Sequence, residues 1–302
     1  MKQCIREEFK YLLKAKIIVI FIIVNLLLGV ATLYSNYNKV SMSIEDYIYS
    51  KESFEQGIVA GINDKDDTII VETEDDVKYM KENAETALYT IHPNYTIEME
   101  MISSIDWAMV IISTFIALLL GNDSSCNILR LKAVRHKRSD IFLAKSLVYY
   151  LAAIIIEVVS ICFLYIINKI GYPIYMEKHD KYNDLHVKDL SVHDNWFAKV
   201  ILLLFVTSIA VEIGMIISLI IKKNAIAILG IVVYAMVLPK FGTYDIRVCF
   251  GNLMAKFYDC YGAIAISGAD LSKIAVSIVV VISVWIILKS INYLLYIKKS
   301  AY

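Results

Sequence analysis

The chain has 302 residues, is 58% hydrophobic and has a mean hydropathy of +0.60. A soluble domain is nearer half apolar, and here the excess is gathered into runs of lipid-spanning length, which excludes an ordinary soluble protein. Thirty Lys and Arg balance thirty Asp and Glu, so no basic excess points to nucleic acid. Arg occurs only at Arg6, Arg130, Arg135, Arg138 and Arg247, while Lys, Ile, Asn and Tyr are abundant. That bias fits an AT-rich bacterial genome and a bacterial cell membrane.

The first sixteen residues, MKQCIREEFKYLLKAK, place Ile5, Phe9, Leu12 and Leu13 at helical spacing, with Lys and Glu opposite. This is the pattern of an interfacial helix over 1–16. A bilayer core of about 30 Å needs roughly 17–25 apolar residues. Six segments qualify: 17–34, 105–121, 142–168, 197–221, 225–241 and 274–297. Each is expected as a helix, because backbone polar groups in lipid need internal partners. The first is expected to be retained and not cleaved as a signal peptide, since sixteen patterned residues precede it and no small-residue cleavage site follows.

Residues 35–104 carry fifteen Asp and Glu against five Lys. Within them DDTIIVE reads as a short strand, and EDDVKYMKENAETALY as a helix with acids in its first turn. About seventy residues make only a marginal core, so a small α+β extracellular insertion resting on the membrane domain is expected. The loop 169–196 spaces His179, His186 and His193 by seven. On a helix each step is about 10 Å, too far for three nitrogens to reach one ion at about 2 Å. They read as solvated loop histidines. Cys4, Cys126, Cys162, Cys249 and Cys260 form no metal-type pair, although Cys249 and Cys260 share the loop before the last span and leave a disulfide open.

Lys and Arg set orientation. Lys2, Arg6, Lys10, Lys14 and Lys16 precede the first span. Arg130, Lys132, Arg135, Lys137, Arg138 and Lys145 follow the second. Lys222 and Lys223 follow the fourth, and Lys298 and Lys299 follow the sixth. With six spans all four groups fall on one side, the cytoplasm, together with both termini. The expected fold is thus an all-α polytopic membrane protein with domain segments 17–34 and 105–302, an interfacial helix and the insertion 35–104. Asn25, Glu157 and Glu212 lie inside spans. A charge at bilayer depth costs about 2.5 kcal/mol or more, so these three are candidates for a substrate path or for buried structural ties. Lys289 lies near a span end and can snorkel.

No G-x-x-x-x-G-K-[ST] phosphate loop, H-E-x-x-H or G-x-S-x-G occurs, so catalytic and metal residues are not expected, and ATP hydrolysis is not expected of this chain alone. The segment NILRLKAVRHKRSDIFLAK, Asn127 to Lys145, resembles the coupling loop of ATP-binding-cassette permeases of the type-2 exporter class. Asp123 stands for that family's acidic residue, ILRL for its aliphatic-basic run, and Arg138, Ile141, Leu143 and Lys145 for its ending. Cys126-Asn127 replaces the usual Gly-Thr. ISLIIKKNAIAI, with Lys222, Lys223 and Asn224, resembles the family's second cytosolic turn, and YLLYIKKSAY its C-terminal ending. Segment 242–273 resembles its outer re-entrant hairpin, while 35–104 is an insertion.

The resemblance implies a permease homodimer, or a heterodimer with a similar permease, on two ATP-binding subunits that hold ATP and Mg. Ile128, Leu129 and Leu131 would then contact those subunits, with Arg130, Arg135 and Arg138 supplying pairing charges or lipid-headgroup contacts. The acidic insertion and the buried carboxylates suit a cationic antimicrobial or toxin peptide as substrate. Rival readings are an ion-coupled secondary transporter using Glu157 and Glu212, and a membrane sensor or scaffold with a ligand-binding ectodomain.

Overall fold

The computed structural model describes residues 1–302 except 15, 57–58, 64–67, 72, 126–131, 133, 179–183, 188–194, 222, 259–268 and 300–302. Nothing is stated of the side chains at 56, 59–63, 68–71, 124–125, 178 and 298–299. The elements in chain order are α1 (Lys2–Lys14), α2 (Ile17–Gln56), β1 (Val59–Asn63), β2 (Thr68–Val71), α3 (Glu74–Ile91), α4 (Thr96–Ser125) and α5 (Arg138–Lys178). They are followed by α6 (Trp196–Ile220), α7 (Asn224–Val232), α8 (Ile246–Phe257) and α9 (Ile274–Lys299).

Five helices are long and apolar enough to cross a membrane: α2, α4, α5, α6 and α9. This is consistent with a multi-pass membrane protein. The structure departs from the expected six at 225–241. There α7 and a π-helical turn, Val233–Val237, form a shorter apolar helix that falls below spanning length by itself. Continuous hydrophobicity does not fix helix length, and the widened turn opens the α-helical ladder before Pro239.

Arg138 donates to the Ile297 carbonyl at 3.0 Å, and Lys145 meets Glu8 at 3.1 Å. The end of α4, the start of α5, the end of α9 and all of α1 therefore share one side, called here the terminal side. At the opposite, far side, Lys199 at the head of α6 pairs with Glu98 at the head of α4 at 2.8 Å. The Tyr258 hydroxyl donates to the Lys199 carbonyl there at 2.7 Å.

The centre is the parallel pair α4 and α6. Ser113 Oγ donates to the Ala210 carbonyl at 2.8 Å, and Ile112, Phe115, Ile116, Val206, Ile209, Val211 and Met215 are fully buried around it. Gly214 makes this approach possible, because a Cβ there would lie 2.4 Å from the Ser113 carbonyl oxygen. In contrast, α9 exposes Val276, Val279, Ile282, Ile286 and Ile287 along much of its surface, as a lipid-facing helix does.

The region expected as a small α+β insertion is organised differently. Residues 35–56 continue α2, and 96–104 belong to α4. Among the described residues, the antiparallel β1–β2 hairpin, α3 and a 3-10 turn, Pro93–Tyr95, are the separate elements. The far half of α2 stays helical because it has an apolar face to bury. Val40, Ile44 and Tyr47 pack on Ala84, Ala87, Leu88 and Ile91 of α3. α3 starts with a capping box, Thr73 with Asp76, and its acids fill the first turn as expected. Asn168 of α5 closes this layer by donating to the Ile91 carbonyl at 2.8 Å and to Thr96 Oγ1 while accepting from the Tyr37 hydroxyl. Of the three spaced histidines only His186 is described, and its backbone N–H donates to Glu85 at 3.4 Å.

Beyond the π turn, Arg247 gathers the chain end of α7. Its guanidinium donates to the carbonyls of Tyr234, Leu238 and Pro239 at 2.8–2.9 Å and to Asp245. Those are the carbonyls a helix end leaves without partners. Cys249 is buried and donates to the Thr243 carbonyl at 3.5 Å. Cys260, its expected candidate partner, lies outside the described residues.

Two outcomes follow. Gly214→Ala should lower the thermal midpoint of the detergent-purified protein, at a cost of about 1–3 kcal/mol from overpacking. Gly230→Ala, where a Cβ meets nothing within 4 Å, should be neutral or slightly stabilising. Burial pushes the Asp245 carboxyl up, but hydrogen bonds from Arg247 and from the Phe241 and Arg247 backbone hold it at about 2, below the ordinary 3.8. A depressed carboxyl contributes stability above the unfolded value and loses it as pH falls from about 4 towards 2. Melting curves should therefore show Arg247→Gln losing most stability near neutral pH and differing least from the parent below pH 3.

Candidate functional site

A helix forms over Lys2–Lys14, within the expected 1–16, and its inward face is partly polar. Cys4, Glu8 and Leu12, one turn apart, are buried, while Phe9 and Leu13 are exposed. The cause is electrostatic. Glu8 Oε1 accepts from Lys132 Nζ at 2.7 Å, and Glu8 Oε2 from Lys145 Nζ at 3.1 Å. Lys145 also pairs with Asp123 at the end of α4 and lies 3.5 Å from the Tyr149 hydroxyl, one turn along α5. Lys145 and Asp123 are fully buried, and Glu8 is 2% exposed.

Two carboxylates and two ammonium groups thus form a node without net charge. Each ion loses several kcal/mol of hydration when buried, and only close mutual pairing offsets it. The shell reinforces this: Tyr296 packs beside Phe142, Lys132 lies over the Tyr11 ring at 5.2 Å, and burial pushes the Cys4 thiol up, keeping it a neutral packing group. Around the node, His136 meets Glu7 at 3.4 Å and the terminal amine meets Asp140 at 3.6 Å.

The node fixes both ends of the loop between α4 and α5 to α1. Asp123 anchors its start, Lys132 its middle, and Lys145 with Arg138 its end. Asp123 and Lys145, picked from the sequence as separate loop positions, are brought into direct contact. Arg138 donates from one guanidinium nitrogen to the Ile297 carbonyl, which ties the start of α5 to the end of α9. Arg135 remains exposed, as do Lys137 and Val134. Ile128, Leu129, Arg130 and Leu131 lie outside the described residues, as does Lys222. Asn224 packs on Gly121, where a Cβ would lie 2.0 Å from Asn224 Oδ1, so the second turn touches the end of α4 beside the node. Lys223 directly precedes α7.

The three intramembrane candidates do not converge. Glu212 of α6 accepts from the Tyr150 hydroxyl and from Asn292 Nδ2, and Asn292 also donates to the Glu212 carbonyl at 2.9 Å. These bonds tie α5, α6 and α9 together, so Glu212 serves as a buried tie. Nearby, Lys289 lies 4.9 Å from the Trp285 ring centroid and 5.7 Å from that of Tyr150, and Trp285 Nε1 donates to Ser208 at 2.6 Å. Asn25 instead donates to Ser160 Oγ at 2.9 Å, one turn from Glu157 on α5.

Glu8 and Lys132 were not among the candidate site residues. Glu8 reads as part of a polar face, and its only sequence signal is its placement four residues from both Cys4 and Leu12. No family model, curated protein or solved structure matches the chain.

Lys145→Met should cost about 3–5 kcal/mol, since it leaves two buried carboxylates without their shared cation. Adding Asp123→Asn and Glu8→Gln should restore much of that loss. Thermal melts of the single and triple variants check this; an additive further loss in the triple variant would contradict the node as described.

Proposed function

We propose that the chain is the permease subunit of an ATP-binding-cassette exporter, working as a dimer on two separate ATP-binding subunits, with the terminal side facing the cytoplasm. The observation that carries this reading is the buried node. It fastens the basic loop between α4 and α5, which resembles a coupling loop, to the interfacial helix and to two spans. A push on the loop from an ATPase would then move α1, α4 and α5 together. Exposed Arg135, Lys137 and Val134 offer mixed charged and apolar contact to such a partner. Nucleotide closure in the partner supplies the energy, and this chain transmits it.

The reading includes six crossings. Asn224 sits against Gly121 on the terminal side, whereas Tyr258 sits against Lys199 on the far side. The short helix α7 and the segment after it make the return, as a short or re-entrant crossing. The substrate class favoured is a cationic amphipathic peptide, drawn by the acid-rich segment 35–104 on the outer side. An ion-coupled transporter is the second reading, favoured by one buried oxygen of Glu157, Oε2, that has no hydrogen-bond partner among the described residues.

Affinity-tagged chain taken from its native membrane should bring down an ATP-binding subunit in equal amount, and the complex should hydrolyse ATP. Arg135→Gln with Lys137→Gln should insert normally but lose most of that association and hydrolysis. Transport that continues after ATP depletion, with no ATP-binding subunit recovered, would overturn the exporter reading in favour of ion coupling.

A further inference from the structure

Between α2, α4 and α5 lies a water-sized hollow lined by Asn25, Glu100, Ser103, Ser104 and Ser160, with Leu28, Trp107 and Leu164 as its apolar walls. Asn25, Glu100 and Ser160 are at least nine-tenths buried. Glu157, 3% exposed, stands one turn from Ser160 and bonds Ser104 from the α5 side. Its second oxygen is buried without a hydrogen-bond partner among the described residues. Gly29 seals one wall, since a Cβ there would lie 2.1 Å from Leu164 Cδ1.

The donors are chemically uniform. They are carboxylate, amide and hydroxyl oxygens, carried by three helices. Oxygen-only sets suit hard cations, whereas nitrogen and sulfur donors suit softer transition metals. Asn25 spends its N–H group on Ser160, which leaves its carbonyl oxygen as an acceptor. Lys199, the cation on neighbouring α6, is paired with Glu98. Ionised carboxylates at this depth need a counter-charge, because lipid supplies none.

We propose that this hollow is a binding site for a sodium-sized monovalent cation, held by Glu100 with Asn25 and the serine hydroxyls, with Glu157 behind Ser104. Its size admits a dehydrated small ion and excludes a peptide. Ser160 lies fifteen residues along α5 from Lys145, about 22 Å of helix rise, so the site is separate from the ionic node. It does not depend on the exporter reading, since the cation binds the permease itself.

The test uses the purified full chain in detergent, without ATPase. Thermal midpoints are measured against sodium chloride at constant ionic strength, with choline as the replacing cation. A bound ion stabilises the folded state in proportion to the logarithm of its concentration once the site is saturated. The midpoint should rise by several degrees in sodium, less in potassium, and not in choline. Glu100→Gln should abolish the sodium response. Should that variant fail to fold, Ser104→Ala keeps the helix packing and should raise the sodium needed for half effect about tenfold. Equal midpoints in sodium and choline would overturn the proposal, leaving two protonated, hydrogen-bonded glutamic acids. A Glu100→Gln or Ser104→Ala variant that keeps the parent's sodium response would overturn it as well.

Discussion

A lysine with no exposure to solvent dictates how the terminal side of this protein is built. Lys145 cannot sit at the head of α5 without carboxylates against it, and they come from two elements far apart in sequence, Glu8 and Asp123. Ion pairing turns the Cys4, Glu8 and Leu12 face of α1 inward and leaves Phe9 and Leu13 exposed. One buried charge thereby fixes both the orientation of the surface helix and the anchoring of the basic loop.

Charge and close packing divide the labour between the two sides. Near the terminal side, ions join α1, α4 and α5. Through the centre, glycines make room for close packing: Gly214 against the Ser113 backbone, Gly29 against the Leu164 side chain. Helices in lipid gain little from hydrophobic association with each other, so contact of this kind and interhelical hydrogen bonds hold them. Asn292 with Glu212, and Asn168 with Ile91 and Thr96, are bonds of that sort. At the far side Lys199 and Glu98 close the α4–α6 pair with a second buried ion pair.

Much of this was legible in the sequence. Apolar length gave the long spans, and helical spacing with an acidic first turn gave α1 and α3. The end of α2 was not legible, because the polar character that marks its exit from lipid does not stop a helix that still has Val40, Ile44 and Tyr47 to bury. Nor was the shortness of α7, whose residues are as apolar as those of a full span. Within the site, Asp123 and Lys145 stood out through a loop pattern, and Asn25, Glu157 and Glu212 because polarity is costly in lipid. Their partners did not. Glu8, Tyr150, Asn292 and Glu100 acquire meaning only once helices distant in sequence lie side by side.

The length of α2 has a mechanical consequence. Its 40 residues make a rod of about 60 Å, roughly twice the hydrocarbon thickness. α5, with 41 residues, is as long and is pinned to α2 through Tyr37 and Asn168. A tilt of about 5° at the base would sweep the far tip sideways by about 5 Å over that length. α3 packs on this far half of α2, so a small tilt at the base would become a larger displacement of α3.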